Sequence, residues 1–113
     1  MSFDIIILKP SDISIDNMSE VNEVAPLGDT EVVSRAFDQA FPGCLKGGFT
    51  SGNGYSVELM LNREPVESAH LTLRYGQSWS GTSERHFLSL LSSVCNSLGG
   101  VAFAVSDNSR VVP

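Results

Sequence analysis

Alternating apolar and polar positions predict two neighbouring strands in the middle of the chain. Residues 55–62 read YSVELMLN and residues 70–75 read HLTLRY, and in both stretches every second residue is a bulky apolar one. Successive side chains of a strand point to opposite faces, so this pattern is typical of an antiparallel sheet with one solvated face. The residues expected to face inward are Tyr55, Val57, Leu59, Leu61, Leu71, Leu73 and Tyr75.

Apolar residues at helical spacing predict two amphipathic helices. The first begins at Asp29 or Thr30, which are suitable N-caps, and ends at Pro42-Gly43. The second begins at Ser80 or Thr82 and ends at Gly99-Gly100, where glycine permits a left-handed C-cap. The expected buried stripes are Val33, Ala36, Phe37, Ala40 and Phe41 in the first helix, and Phe87, Leu90 or Leu91, Val94 and Leu98 in the second.

Apolar runs near the two chain ends predict further strands. Phe3–Lys9 is short, rich in isoleucine and followed by proline, and Val101–Val105 reads as a strand buried on both faces. A last short strand at Val111–Val112 is also compatible with the pattern. We therefore expect one α+β domain over residues 1–113, with a mainly antiparallel sheet of four to five strands and two amphipathic helices packed on one face.

The segment Pro10–Gly28 has no single periodicity. Ile13 and Ile15 alternate, which favours a short edge strand, whereas Met18, Val21 and Val24 are three residues apart, which favours one or two helical turns. The sequence leaves both alternatives open.

Four glycines lie in the stretch KGGFTSGNG, which has the composition of a phosphate-binding loop. A P-loop, however, needs Gly-Lys-Ser/Thr followed by a helix, and here Lys46 precedes the glycines while a strand pattern follows them. Val57 also occupies the position of the third glycine in a dinucleotide-binding fingerprint. Asn53-Gly54 is instead a strong signal for a hairpin turn between Phe49-Thr50 and the strand that begins at Tyr55.

The charge distribution is asymmetric. The chain has a net charge of −6, and residues 1–38 carry eight acidic and two basic residues, whereas the remaining 75 residues carry five of each sign. Without a basic patch, binding to nucleic acid is disfavoured. An acidic segment can attract a basic protein partner, or it can simply be a solvated face. The acidic residues that we expect to meet such a partner are Asp12, Asp16, Glu20, Glu23 and Asp29.

Trp79 lies in the polar loop GQSWSGTS, where two roles are open. It can fold back over the core as a lid, or it can anchor an interface, in which tryptophan is enriched. The N-terminus lacks a basic segment, and the apolar run Ile5–Leu8 is too short to span a membrane. These features predict a cytoplasmic protein with no membrane partner.

Chemical signatures are sparse. Cys44 and Cys95 have no metal-binding or disulfide spacing, and we expect both to behave as small apolar residues of the interior. Lys46 is nevertheless close enough to Cys44 in sequence to lower the pKa of its thiol. His70 and His86 lack partners at metal-ligand spacing. The sequence therefore assigns no catalytic residue, no metal site and no cofactor.

Five short stretches resemble a family of small bacterial proteins that begin Met-Ser-Tyr/Phe-Asp. They are MSFDIIILK, APLGD, AFPG, GYSVEL and GGVAFAVSDNSRVV, and the family pattern departs from this chain at Asp107–Arg110. Some members look like immunity proteins, which bind bacterial toxins. The resemblance implies a protein-binding role and supplies no catalytic residues.

Two classes of function follow from these observations. The first is a protein-binding module, of the immunity type, that meets a basic partner through its acidic N-terminal segment. The alternative is a small-molecule-binding protein or enzyme with a pocket between helices and sheet, in which Tyr55, His70 and Arg74 are the candidate polar groups. A homodimer with a structural role is a further alternative.

Overall fold

A computed structural model describes residues 2–46, 48–50 and 54–112 of the chain. It has two helices, α1 (Thr30–Ala40) and α2 (Gly81–Leu98), and an antiparallel sheet, which confirms the predicted α+β class. The expected four to five strands are wrong, because the described residues form seven. These are β1 (Ser2–Pro10), β2 (Val24–Ala25), β3 (Phe49–Thr50), β4 (Tyr55–Asn62), β5 (Ser68–Tyr75), β6 (Val101–Ala104) and β7 (Arg110–Val112).

The strand order places the first strand in the centre of the sheet. The order is β3-β4-β5-β1-β6-β7, with β2 paired to the end of β1, and every pairing is antiparallel. The isoleucine-rich run occupies this position because a central strand is covered on both edges, and Ile5 and Ile7 are fully buried. β2 was not predicted, and β3 and β7 were predicted only as short flanking segments, because strands of two or three residues are too short for alternation to be recognised.

One face of the sheet carries the core, as the alternation predicts. Leu71 lies opposite Leu59 on one side and Ile5 on the other, so the three form a row across the sheet. Both helices contribute to the same cluster through Val33 and Phe37 of α1 and the inner face of α2. The buried residues of α2 include Phe87, Leu91, Val94 and Leu98, which resolves the open choice at 90 or 91 in favour of Leu91.

The helix ends agree with the predicted boundaries, with one correction. In α2, Ser80 forms a reciprocal capping box with Ser83, and Gly99 ends the helix with φ 70°. In α1, Asp29 occupies the N-cap position, but its side chain accepts no capping hydrogen bond. The carboxylate of Glu64 accepts bonds from the backbone N–H and the hydroxyl of Thr30 instead, so a residue 34 positions away caps this helix.

The glycine-rich stretch precedes a strand, as predicted. Phe49 pairs with Val57 and Thr50 with Ser56, which makes β3 and β4 an antiparallel hairpin. Asn53, the first residue of the predicted turn, lies outside the described residues, and Gly54 has φ 85°. No helix in the described parts of the chain is long and apolar enough to cross a membrane.

The second face of the sheet changes from exposed to buried along a single row of paired residues. The row runs from Met60 through His70 and Ile6 to Phe103 and Arg110. Met60 is 73% exposed, whereas Phe103 is fully buried. Arg110 donates hydrogen bonds to two backbone carbonyls of the segment that follows β1. We infer that this segment covers the β6–β7 end of the second face.

Candidate functional site

Residues 11–23 form a closed loop, which we call the acidic loop. Its two ends are joined by a 3.0 Å hydrogen bond from the Ser11 N–H to the Glu23 carbonyl, so it has the form of an Ω-loop. It contains one 3₁₀ turn, Met18–Glu20, and β2 follows it directly. The edge strand considered for Ile13 and Ile15 is therefore absent from the described loop, and the helical alternative is reduced to this single turn.

Side chains within the loop stabilise its turns. The Asp12 carboxylate accepts from the backbone N–H and the hydroxyl of Ser14, and the Asn17 side-chain oxygen accepts from Ser19 in the same way. Such Asx turns satisfy backbone groups without helix or sheet. Sequence periodicity fails here because these short polar residues, and not an apolar stripe, determine the backbone path.

The acidic loop is attached to the last turn and strand of the sheet. The Met18 N–H donates to the Asn108 carbonyl at 2.7 Å, and the Arg110 N–H donates to the Asp16 carbonyl at 2.9 Å. The Arg110 guanidinium donates to the carbonyls of Ile13 and Ile15 at 2.5 and 3.1 Å. A basic residue thus holds the loop through its backbone, which leaves the loop carboxylates directed to solvent.

All five acidic residues singled out from the sequence are exposed. Asp12, Glu20 and Glu23 line one surface depression of about 450 Å³, together with Ser11, Ile15 and Asn22. Asp16 belongs to the same loop, whereas Asp29 lies after it, at the start of α1. None of the five forms an ion pair with a residue that the structure describes. Hydrogen bonds from Ser14 lower the pKa of Asp12, so this carboxylate is ionised at neutral pH.

Trp79 is half-buried at one edge of an aromatic cluster. Its ring lies 5.1 Å from that of Tyr75 and 5.6 Å, edge to face, from that of Tyr55. Tyr55 is buried, and its hydroxyl lies 2.7 Å from Nδ1 of His86. Trp79 therefore packs on the core with one part of its ring system and keeps another part exposed, a position compatible with both roles considered for it.

Trp79 also lines a pocket between α2 and the sheet. The pocket has a volume of about 320 Å³. Apolar and aromatic side chains form most of its wall, and two acidic residues, Glu84 and Asp107, complete it. Its aromatic and acidic lining residues are Phe3, Tyr75, Trp79, Phe87, Glu84 and Asp107. We call this the aromatic pocket.

The aromatic pocket and the acidic loop meet at the turn that joins β6 and β7. Ser109 lines the pocket and forms an isolated β-bridge with Asn17 of the loop. The neighbouring residue, Asn108, accepts the hydrogen bond from Met18. The two features that the sequence analysis assigned separately to partner binding, the acidic segment and Trp79, therefore belong to one continuous region of the surface.

The three polar groups considered for a ligand pocket do not come together between helices and sheet, although Tyr55 and Arg74 line one open depression beside Gly54 and Gly76. His70 lies on the second face of the sheet, 3.4 Å from a carboxylate oxygen of Asp4. Arg74 lies on the same face and pairs with Glu58 at 2.6 Å. Tyr55 points into the core. Alternation places His70 and Arg74 on that outer face, so the pocket is formed by other residues.

Both cysteines are buried, as expected from the sequence. Burial raises the pKa of Cys44 to about 11, with a further contribution from the negative charge of Asp38. Burial likewise raises the pKa of Cys95 to about 12. The proximity of Lys46 in sequence therefore does not produce a reactive thiolate at Cys44.

We expect both thiols of the folded protein to react slowly with a disulfide reagent such as dithionitrobenzoate at pH 8. With a pKa near 11, about 0.1% of a thiol is ionised at this pH, against about 10% at the ordinary value of 9.0. The labelling rate should thus be about 100-fold lower than in denaturant. Because the pKa of Cys44 is higher in the folded protein than in the unfolded chain, its contribution to the free energy of unfolding is complete below pH 9. This contribution is lost as the pH rises from about 9 to about 11. Rapid labelling of Cys44 in native protein at pH 8 would contradict this assignment, and Cys44→Ser isolates the signal of Cys95.

Metal binding has no structural support in the part of the chain that the structure describes. No three His, Cys, Asp or Glu side chains there are arranged to hold an ion.

Sequence reasoning missed Arg110, Glu84 and Asp107. Arg110 was counted only as one of the basic residues of the neutral part of the chain, and its contacts span 95 and 97 positions. The pattern Asp-x-Ser, which occurs at Asp12 and again at Asp107, was an available signal for the two turns that lie beside the site.

Comparison with known proteins gave no match to any protein family, curated protein or solved structure.

Proposed function

We propose that this protein is a protein-binding module that meets a basic partner through the acidic loop. The observation that carries the proposal is the state of the loop carboxylates. Asp12, Asp16, Glu20 and Glu23 are exposed and form no ion pair with a described residue, although the loop that carries them is closed and attached to the sheet.

A loop held in this way presents its charges in a defined arrangement. The backbone of the loop is held by bonds to the Arg110 side chain and to Asn108, and by the bond between Ser11 and Glu23 at its two ends. These bonds reduce the conformational entropy that the loop would lose on binding a partner. Complementary charge steers a basic partner and accelerates association, mainly at low ionic strength. The neighbouring aromatic pocket adds apolar surface, which the centre of an interface requires and which charge alone does not supply.

A role of the immunity type fits this arrangement. Such a protein acts by occupying a surface of its toxin, and this needs a rigid, charged docking surface and no catalytic residue. The short-motif resemblance to a family with immunity-like members supports the same class, and it names no partner.

Charge neutralisation in the acidic loop tests the proposal. We expect the triple variant Asp16→Asn/Glu20→Gln/Glu23→Gln to capture at least about fivefold less basic protein from an extract of its own cells. This factor corresponds roughly to the binding free energy of three exposed ion pairs. Capture is quantified by mass spectrometry at about 50 mM and about 500 mM salt, since screening should remove the same proteins from the wild type.

A second triple variant controls for net charge. Glu31→Gln/Glu58→Gln/Glu67→Gln changes the net charge by the same three units at exposed or half-exposed carboxylates outside the loop, each paired with an arginine. Capture by this variant should match the wild type. If both triple variants lose the same proteins, or if neither loses any, the acidic loop is not the binding surface.

A further inference from the structure

The aromatic pocket has a composition that differs from an ordinary surface depression. One wall contains the rings of Tyr75 and Trp79, which lie 5.1 Å apart, and the half-buried ring of Phe3 completes it. The base is formed by core residues of β1, β5 and α2, namely Ile5, Leu73 and Phe87. Its volume, about 320 Å³, is close to that of the smaller ligand sites of proteins.

Two carboxylates border these apolar walls. Glu84 lies in the first turn of α2, and Asp107 lies in the turn between β6 and β7. Both are exposed, and neither forms an ion pair with a described residue. Bonds from the N–H and hydroxyl of Ser109 lower the pKa of Asp107, so its charge is present at neutral pH. The described lining residues include no lysine or arginine.

Aromatic walls with acidic neighbours favour an organic cation. Aromatic faces attract ammonium and guanidinium groups through the ring quadrupole, with an affinity that increases when the cation is desolvated. A guanidinium also stacks flat on an aromatic ring while its N–H groups donate to carboxylates. A metal ion is disfavoured, because the apolar walls supply too few oxygen ligands to replace its hydration shell.

The position of the pocket indicates where the cation comes from. Ser109 lines the pocket and is paired with Asn17 of the acidic loop, so the pocket and the loop share the turn between β6 and β7. We propose that the aromatic pocket receives an arginine side chain of the basic partner, with its guanidinium against Trp79 and beside Glu84 and Asp107. This inference rests on the proposed function and adds the residue type that the partner presents.

Trp79 provides the measurement. It is the only tryptophan of the chain, so its fluorescence reports on this pocket alone. We expect N-acetyl-arginine methylamide to change the emission saturably, with a dissociation constant on the order of 1 mM. The citrulline compound has nearly the same shape and no charge, and it should bind at least about fivefold more weakly. Equal affinities, or no saturable change with the arginine compound, would overturn the proposal.

Two variants test whether the carboxylates of Glu84 and Asp107 cause the preference for the arginine compound. Glu84→Gln/Asp107→Asn keeps shape and hydrogen-bond acceptors, and it should reduce the preference for the arginine compound over the citrulline compound to about twofold, because only the attraction of the aromatic faces remains. The acidic-loop variant Asp16→Asn/Glu20→Gln/Glu23→Gln should change the affinity less than about twofold, since screened charges outside the pocket contribute little. Circular dichroism verifies that both variants are folded. An arginine preference as large in Glu84→Gln/Asp107→Asn as in the wild type would contradict the assignment.

The two proposals fail separately. If the arginine compound does not bind but basic proteins are captured through the acidic loop, the pocket assignment is wrong and the proposed function stands. If the compound binds with the expected preference but no protein depends on the loop, the pocket is a cation site and the proposed function is wrong.

Discussion

Replacement of Gly54 by alanine is expected to destabilise the fold by about 2–5 kcal/mol. Gly54 has φ 85°, a left-handed conformation that costs an alanine about 1–2 kcal/mol. A Cβ at this position would also lie 2.6 Å from Cβ of Ser78 and 2.9 Å from its carbonyl carbon. Because a backbone atom blocks the space, the loop that carries Trp79 would have to move, which adds about 1–3 kcal/mol of overpacking.

Urea denaturation followed by circular dichroism measures this loss, and the emission of Trp79 in the native protein shows whether its ring is displaced. Gly76→Ala is the matched control. Gly76 follows β5, and an added Cβ there meets nothing within 4 Å. Its free energy of unfolding should stay within about 0.5 kcal/mol of the wild type. If Gly54→Ala is as stable as Gly76→Ala, Gly54 and Ser78 are not in close contact.

Replacement of Phe103 by alanine is expected to lower the free energy of unfolding by about 3–5 kcal/mol. Phe103 is fully buried, although it lies on the sheet face opposite the two helices, in the row that contains Ile6 and Arg110. Removing the ring leaves a cavity opposite Arg110, the residue that holds the acidic loop. Denaturation gives the magnitude, and amide exchange of Met18, whose N–H donates to Asn108, should become faster as the loop loses its support.

Met60 provides the control for Phe103, because it lies at the exposed end of the same row. Met60 is 73% exposed, and Met60→Ala should change stability by no more than about 0.5 kcal/mol. Similar losses in both variants would show that the second face is equally covered at its two ends. That outcome would contradict the position of the acidic loop over β6 and β7.

The two substitutions act on the two halves of the candidate site. Gly54 permits the close approach of the loop that places Trp79 against Tyr55 and Tyr75. Phe103 supports the end of the sheet to which the acidic loop is attached. A site built in this way depends on contacts in both faces of the sheet, so its geometry is sensitive to residues that no ligand would touch.

Local patterns predicted the regular elements well. The alternation in β4 and β5, the N-cap of α2, predicted at Ser80 or Thr82 and found at Ser80, and the left-handed Gly99 each depend on residues within a few positions of one another. The N-cap of α1 was predicted at Asp29 or Thr30 and found at Asp29, but the side chain that accepts the capping hydrogen bonds was not predicted. Its acceptor is Glu64, and a residue 34 positions away leaves no trace in the local sequence.

The candidate site was predicted in part. The concentration of negative charge is a property of composition, and it led to the acidic residues of the loop. The attachment of the loop that carries them depends on Arg110, whose side chain binds backbone carbonyls of Ile13 and Ile15. The groups that an arginine side chain can reach depend on the path of the chain in three dimensions. The periodicity of apolar residues along the sequence does not contain this information.

The amino-acid sequence by itself determined the two helices and the four longer strands, which of their faces are apolar and where the negative charge is concentrated, because these follow from interactions between near neighbours. Only the tertiary structure placed β1 in the centre of the sheet, buried Phe103 on the second face and paired the acidic loop with the turn that lines the aromatic pocket. These features depend on pairings such as Ile6 with Phe103 and Asn17 with Ser109, which join residues about ninety positions apart. Such contacts form when several elements bury their apolar surfaces together, so no single stretch of the chain specifies them.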